Sequence, residues 1–272
     1  MITLLFLSLM AYTAWWVHPV AFSLSGIEVK TFGLVMGISF MAVTSLLQSE
    51  LTRAGLKVEA GEIATWAIIG GLLGSKLHFI YGSNFQDFSV SSLTAGMSFQ
   101  GGGFLGAIAV MIFLKFRGER ILPYADHCLS LFPFGYALGK IGCFLAGDGC
   151  YGPKTTLPWG MRFPNGLVPT YTPVHPTPLY EFALGIFFWF FLLSRRQQAL
   201  KRPGDQSSAA LIGMGINRLL AEPFRHHTND NVFWIGLNQF QIFSLLLIIG
   251  GFAWRYFWVQ KALREKVKKK DL

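Results

Sequence analysis

Apolar runs about as long as the roughly 20 residues needed to cross a bilayer recur along this chain, and most of its charges fall between them. Hydrocarbon offers no partner to a backbone N–H or C=O, so such a chain is confined to helices or a closed barrel. The runs are continuously apolar, not alternating, which selects helices. With 52% hydrophobic and only 14% charged residues among 272, the composition indicates an all-α, polytopic integral membrane protein. Spans are expected near 31–49, 63–82, 98–114, 128–146, 178–194, 208–224 and 239–258, a seven-helix transmembrane core. Ile2 to Val17 is a further uncharged apolar stretch, either a short extra span or a signal-like anchor that is retained, since no lysine or arginine precedes it. The expected organisation is an N-terminal apolar segment and arm over 1–30, a transmembrane core over 31–258 and a basic tail over 259–272.

The formal charge of +9 raises the question of a nucleic-acid partner. The basic residues stand in short loops, however, and membrane orientation explains that placement better, so no nucleic acid is expected. Loops 50–62, 115–127 and 195–207 and the tail carry most of the lysines and arginines. Lys30, Lys154, Arg162 and Arg225 stand on the opposite side. The positive-inside tendency places the first set, with the C-terminus, in the cytoplasm. Loop 148–177 then faces outward, and Pro153, Pro158, Pro164, Pro169, Pro173 and Pro176 argue against a continuous helix there. It reads as a small periplasmic cap. Three cysteines without a Cys-x-x-Cys spacing make neither a disulfide framework nor a zinc cluster, while a Cys143–Cys150 bridge stays open. The two halves show no inverted symmetry of the transporter kind.

The stretch Gly139 to Gly152 places Lys140, Cys143, Asp148 and Cys150 where an apolar segment ends. Its glycines let a headgroup or a helix approach the backbone, and Lys140 and Cys143, three apart, share a helix face. A glycine-packed helix with a snorkelling lysine is the plainer alternative. Arg218 and Glu222, spaced i, i+4, form either a structural ion pair or a phosphate-binding arginine held by its glutamate. The glycine-rich start Ser98 to Gly106, with Gln100, Gly101 and Gly102, exposes helix N-terminal amides that suit an anion. Lys76 and His78 sit within a span, whereas Asp126 reads as an ordinary helix cap. In His175 to Glu181, Thr177 reads as a cap, Pro178 as an early helical residue and Glu181 as a first-turn acid.

Ordered stretches run along the chain: His18-Pro19-Val20, Gly96-Met97-Ser98-Phe99 with its glycines, Ala125-Asp126, Pro133-Phe134-Gly135 leading into Gly139 to Gly152, His175 to Glu181, and Arg218 to Arg225. Together they resemble the bacterial prolipoprotein diacylglyceryl transferase family. The resemblance covers roughly residues 18–258. It implies a seven-span inner-membrane enzyme whose cavity opens to the periplasmic leaflet. Such enzymes move the diacylglyceryl group of phosphatidylglycerol onto the lipobox cysteine thiol of a preprolipoprotein, recognised through its signal peptide, and release glycerol 1-phosphate. No metal or soluble cofactor is expected, and membrane lipids are the other partners.

That chemistry needs cations near the phosphate and a proton acceptor near the thiol. Arg218 and Lys140, with Lys76, are the candidate cations, and Asp148 or Glu222 the acceptor or an orienter. Gln100 occupies the position of the family's histidine. Gly101, Gly102, Cys143, Gly152, Tyr180 and Glu181 complete the candidate substrate-binding set. The chain departs from the family pattern in having Lys140 for an arginine, Cys143 for an asparagine, Asp148 with one extra loop residue for a glutamate, and Phe32 for a tyrosine. Lys140 keeps the charge and loses bidentate geometry. A redox or thioester role for the cysteines is not expected, because the substrate brings the reacting sulfur. The alternatives are a paralogue with another donor or acceptor and a non-catalytic lipid-binding or transport protein. The expectation that joins these assignments is that Lys140 and Arg218 share one chamber.

Overall fold

A computed structural model describes residues 17–82, 98–199, 201–225 and 237–259. The apolar segment 2–16, the Gly96-Met97 pair and the basic tail lie outside the described residues. The arm opens as strands β1 (Val20–Leu24) and β2 (Ile27–Lys30). Their two-residue turn has positive φ at both Ser25 (49°) and Gly26 (84°), the mirror-image turn whose twist suits a hairpin. Helices follow as α1 (Thr31–Ala54), α2 (Ala60–Gly82), α3 (Phe99–Phe116) and α4 (Ile121–Ala146). Two short strands, β3 (Met161–Phe163) and β4 (Thr170–Val174), separate these from α5 (Thr177–Ala199), α6 (Asp205–Ala221) and α7 (Gln239–Trp254).

Each expected span thus coincides with a helix. Among the described residues five stretches, Thr31–Ala54, Ala60–Tyr81, Ile121–Ala146, Thr177–Gln197 and Gln239–Trp258, are long and apolar enough to cross a membrane. Gln100–Phe116 is apolar and shorter. The α6 helix is different: Asp205, Gln206, Ser207, Ser208 and Asn217 are all buried in it. It obtains its place by being wrapped in protein instead of by apolarity, the arrangement that polar groups at membrane depth require. Elsewhere large apolar side chains such as Phe104, Phe187 and Ile249 point outward, as lipid-facing residues do.

The chain forms two compact units. In the unit 44–127, α2 and α3 meet through glycines. A Cβ on Gly74 would lie 2.2 Å from the carbonyl oxygen of Gly101, and one on Gly70 2.6 Å from Ala109 Cβ, so the backbones touch. At one end of this unit the Tyr124 hydroxyl accepts the Val58 N–H at 3.1 Å, and His127 Nδ1 lies 3.4 Å from Glu50 Oε2. Helix α4 begins at Ile121, so Asp126 stands buried inside it and is not its cap.

The other unit comprises 1–43 and 128–272. Gly185 on α5 admits α4, where a Cβ would meet Ala137 Cβ at 3.0 Å, and Gly215 on α6 admits α7, where one would meet the Ser244 oxygen at 2.6 Å. Asp205 at the start of α6 pairs with Arg195 at 2.7 Å and Arg255 at 2.6 Å, tying three helices at one end. The loop 148–177 folds as a small antiparallel sheet of β3 and β4, not a helix. Val17, Phe144, Tyr151, Met161, Phe163 and Val174 form its core, with the Tyr151 and Phe163 rings stacked at 4.4 Å.

Candidate active site

The centre of the site is Glu181, one turn into α5 and 0% exposed. Lys140 Nζ of α4 lies 2.6 Å from its Oε2, and Arg225 Nη1 lies 3.2 Å from the same oxygen. Arg218 Nη1 of α6 lies 3.1 Å from Oε1, which also accepts the Tyr136 hydroxyl at 2.8 Å. Three cations and a phenol from three chain segments therefore converge on one carboxylate. A buried carboxylate is tolerable only with such partners. The same contacts fix the direction in which each cation extends its remaining donors.

Local sequence explains how each side chain arrives. Tyr136 and Lys140 are four apart on α4, so the ammonium sits over the Tyr136 ring at 5.2 Å and reaches the same carboxylate. Arg218 is pinned from behind: its Nη2 lies 2.7 Å from Glu222 Oε2, the i, i+4 partner, and its guanidinium lies 4.6 Å from the Phe240 ring centre. Glu222 Oε1 accepts the Asn238 side-chain amide at 2.8 Å, while Asn238 caps α7 in a reciprocal box with Gln241. After Glu222 the chain makes a single tight turn, Glu222–Phe224, containing Pro223, and leaves extended at Arg225. The turn delivers Arg225 back onto Glu181. Burial opposes the Arg225 charge, and Glu181, Cys150 and Tyr136 together more than offset it, holding the guanidinium above its ordinary value.

Gly152 lies against that turn. A Cβ there would stand 1.9 Å from the Phe224 carbonyl oxygen, which also accepts the Thr177 hydroxyl. Thr177 is thus bound to the turn instead of capping its own helix. Tyr180 accepts the Trp159 indole N–H at 2.8 Å and lies 3.2 Å from His175 Nδ1, joining the cap to α5.

At the end of α4, Gly147 (φ +59°) reverses the chain, its N–H donating to Phe144 and the Asp148 N–H to Cys143. Asp148 Oδ1 accepts the Cys150 N–H at 3.0 Å, which turns this carboxylate onto its own loop. The ligand-type atoms of Cys143, Asp148 and Cys150 lie within 4.8 Å of one another. Lys140 and Arg225 act on the same Cys150, and two fixed cations there favour an anion over a metal ion. The Cys143 thiol, hydrogen-bonded to Cys150, together with Lys140 and Arg225, outweighs burial and holds the Cys150 thiol below its usual range.

The structure thus brings together Lys140, Arg218, Glu181 and Glu222, with Cys143, Asp148, Gly152 and Tyr180 in the same unit. Gln100, Gly101, Gly102 and Lys76 belong to the unit 44–127, where Gly101 and Gly102 face Gly74 and Gly71 as helix-packing positions. Sequence reading missed Arg225, Tyr136 and Asn238. Arg225 reads in sequence as a loop charge, although its place seven residues after Arg218 and beyond a proline is a signal of its role. The weight of Glu181 was also missed, because a first-turn acid already has a local explanation.

A family model described as "Prolipoprotein diacylglyceryl transferase" matches residues 19–257. Similar proteins named "Phosphatidylglycerol--prolipoprotein diacylglyceryl transferase" include one from Pseudoalteromonas atlantica, 31% identical over 87% of this chain and 88% of its own length. One from Actinobacillus pleuropneumoniae is 32% identical over 88% and 94%. One from Legionella pneumophila is 30% identical over 88% and 96%.

Proposed function

The chain belongs to the prolipoprotein diacylglyceryl transferase family, and from that premise we propose how its buried charge cluster carries the reaction. The protein is a multi-pass membrane transferase that moves the diacylglyceryl group of phosphatidylglycerol to a prolipoprotein. The acceptor is the lipobox cysteine thiol in the signal peptide. Sulfur bonds to the glycerol carbon, the carbon–oxygen bond to phosphate breaks, and glycerol 1-phosphate leaves with the electron pair. Its phosphate stays anionic throughout, so the enzyme must supply fixed positive charge.

The single observation that carries this reading is the convergence of Lys140, Arg218 and Arg225 on Glu181. Three cations face two carboxylates, Glu181 and Glu222, leaving an excess that one phosphodiester neutralises. Arg218 and Lys140 bind the phosphate and the leaving oxygen. Glu181 aims them and remains charged. Both oxygens of Glu222 are held, by Asn238 and Arg218, so Glu222 orients and Asp148 receives the thiol proton. Cys143, Gly152 and Tyr180 border the acceptor. The cluster opens to the periplasmic leaflet of the inner membrane, with 148–177 as its cap, 31–258 as the core and 259–272 as a cytoplasmic tail. The clustering of basic residues in the loops of the other side supports that orientation.

The test is transfer to an acceptor peptide in phospholipid vesicles, read by mass spectrometry. Wild type is expected to add a thioether-linked diacylglyceryl group from phosphatidylglycerol, and Arg218→Ala to lose at least about 100-fold in kcat, the effect of removing one preorganised donor. Thioether formation from a different phospholipid would make the protein a paralogue with another donor. Lipid retention without any adduct would make it a binding protein.

A further inference from the structure

Cys143 and Cys150 lie in the stretch where the chain departs most from the family pattern, and the reaction as assigned gives Cys150 no task. The reversal at Gly147 folds Cys150 back over the last turn of α4, with Gly149 (φ +86°) as a second flexible joint between the two cysteines. Their two sulfurs lie within 4.8 Å of one another. Both are partly exposed, and both are free thiols in this state, like Cys128 near the other end of α4. Arg225 bonds the Cys150 sulfur and Lys140 lies close enough to act on it. A thiol held between two cations, with a second thiol in contact, is the arrangement of an attacking and a resolving cysteine.

We infer that Cys143 and Cys150 are a site of reversible disulfide formation, oxidised by a protein or small-molecule disulfide, and that the bond sets the charge offered to the anionic lipid. Cys150 attacks one sulfur of the oxidant and expels its partner as a thiolate. Cys143 then attacks Cys150 in the mixed disulfide and expels the second thiolate. Two electrons pass to the oxidant, which leaves as two thiols carrying the two protons the cysteines lose. In the reduced protein the Cys150 sulfur takes up part of the reach of Lys140 and Arg225 and competes with phosphate. In the oxidised protein Cys143 holds that sulfur, and both cations turn to the headgroup. The consequence for lipid binding rests on the function proposed above. The supply of oxidant rests on the periplasmic placement of this end, since cytoplasmic thiols are kept reduced.

The test uses the full chain in neutral detergent, poised in glutathione buffers from fully reduced to fully oxidised. Acid quenching, alkylation and peptide mass spectrometry read the thiols, and titration of phosphatidylglycerol reads affinity. The expected result is a Cys143–Cys150 disulfide with one midpoint while Cys128 stays alkylatable. Affinity for phosphatidylglycerol is expected to rise about tenfold on oxidation, the scale of one charge-assisted contact. Cys143→Ser and Cys150→Ser should each abolish this response. Thiols that remain alkylatable at every ratio, a zinc ion that protects them, or an affinity identical in both states would each overturn the inference. Absence of transfer in both states would instead overturn the assigned reaction, because neither readout here depends on turnover.

Discussion

Glu181 holds the site because it is the least dispensable charge in it. Glu181→Gln keeps the shape and removes the anion, leaving Lys140, Arg218 and Arg225 buried beside one another without the carboxylate that joins them. Loss of one partner from a buried ionic group costs about 3–5 kcal/mol, so a lower unfolding temperature in detergent is expected together with loss of transfer. If the variant unfolds like wild type, the cations are held by something else. Cys150 offers a second prediction at this scale. A free thiol ionises near pH 8.5, whereas the Cys143 hydrogen bond and the nearby cations lower Cys150. A depressed value favours the thiolate in the folded state, so alkylation of Cys150 should remain fast below that pH and slow only on further acidification. Arg225→Gln should shift this midpoint upward, which the pH profile of alkylation measures. The Arg218–Glu222 spacing made that pair legible in sequence. Arg225 and Tyr136 were not legible, because their partner is distant in sequence and only the tight turn at Glu222–Phe224 and the packing of α4 on α5 bring them to it.

Helices were the most legible elements, since apolar runs of sufficient length have few other solutions in lipid. Their ends were less so: α4 starts at Ile121, well before the apolar window suggests, because Asp126 and His127 are buried in protein and need no water. The expected anion site at Gly101 and Gly102 illustrates a different limit. A glycine-rich helix start has the same composition whether its amides meet a ligand or its backbone meets another helix. Here Gly74 and Gly101 each lie where a Cβ on the other would come within 2.3 Å of a carbonyl oxygen. Gly74→Leu must therefore part α2 from α3, and overpacking of this kind costs roughly 1–3 kcal/mol or more. The expected outcome is a lower melting temperature and reduced yield in detergent. Gly103→Ala on the same helix, where a Cβ meets nothing within 4 Å, should behave like wild type. Equal loss in both variants would mean that helix propensity, not contact, governs this hairpin.

For the whole molecule the decisive quantity is which leaflet receives the cluster. The two ends of the unit 1–43 and 128–272 carry different chemistry. Near one, the α6 start joins Arg195, Asp205 and Arg255 in an ion triad, and the loop 195–207 is rich in lysine and arginine. Near the other, β3 and β4 make a cap with exposed aromatic residues such as Tyr171 and Trp159, the amphipathic type that settles at a membrane interface. The charge bias was readable from sequence alone. The cap sheet was not, because three-residue and five-residue strands broken by prolines carry almost no periodic signal. Orientation can be checked without any assay of transfer. With native thiols blocked, a cysteine placed at Tyr171 should react with an impermeant maleimide in intact cells stripped of their outer membrane. One placed at Lys201, in the loop between α5 and α6, should react only after permeabilisation. The reverse pattern would put Lys140, Arg218 and Arg225 against the cytoplasmic leaflet, where an exported acceptor thiol does not arrive. A correct pattern fixes the electrostatics as well, since phosphatidylglycerol must then reach the cations from the outer leaflet, opposite to the loops whose positive charge anchors the chain to the inner one.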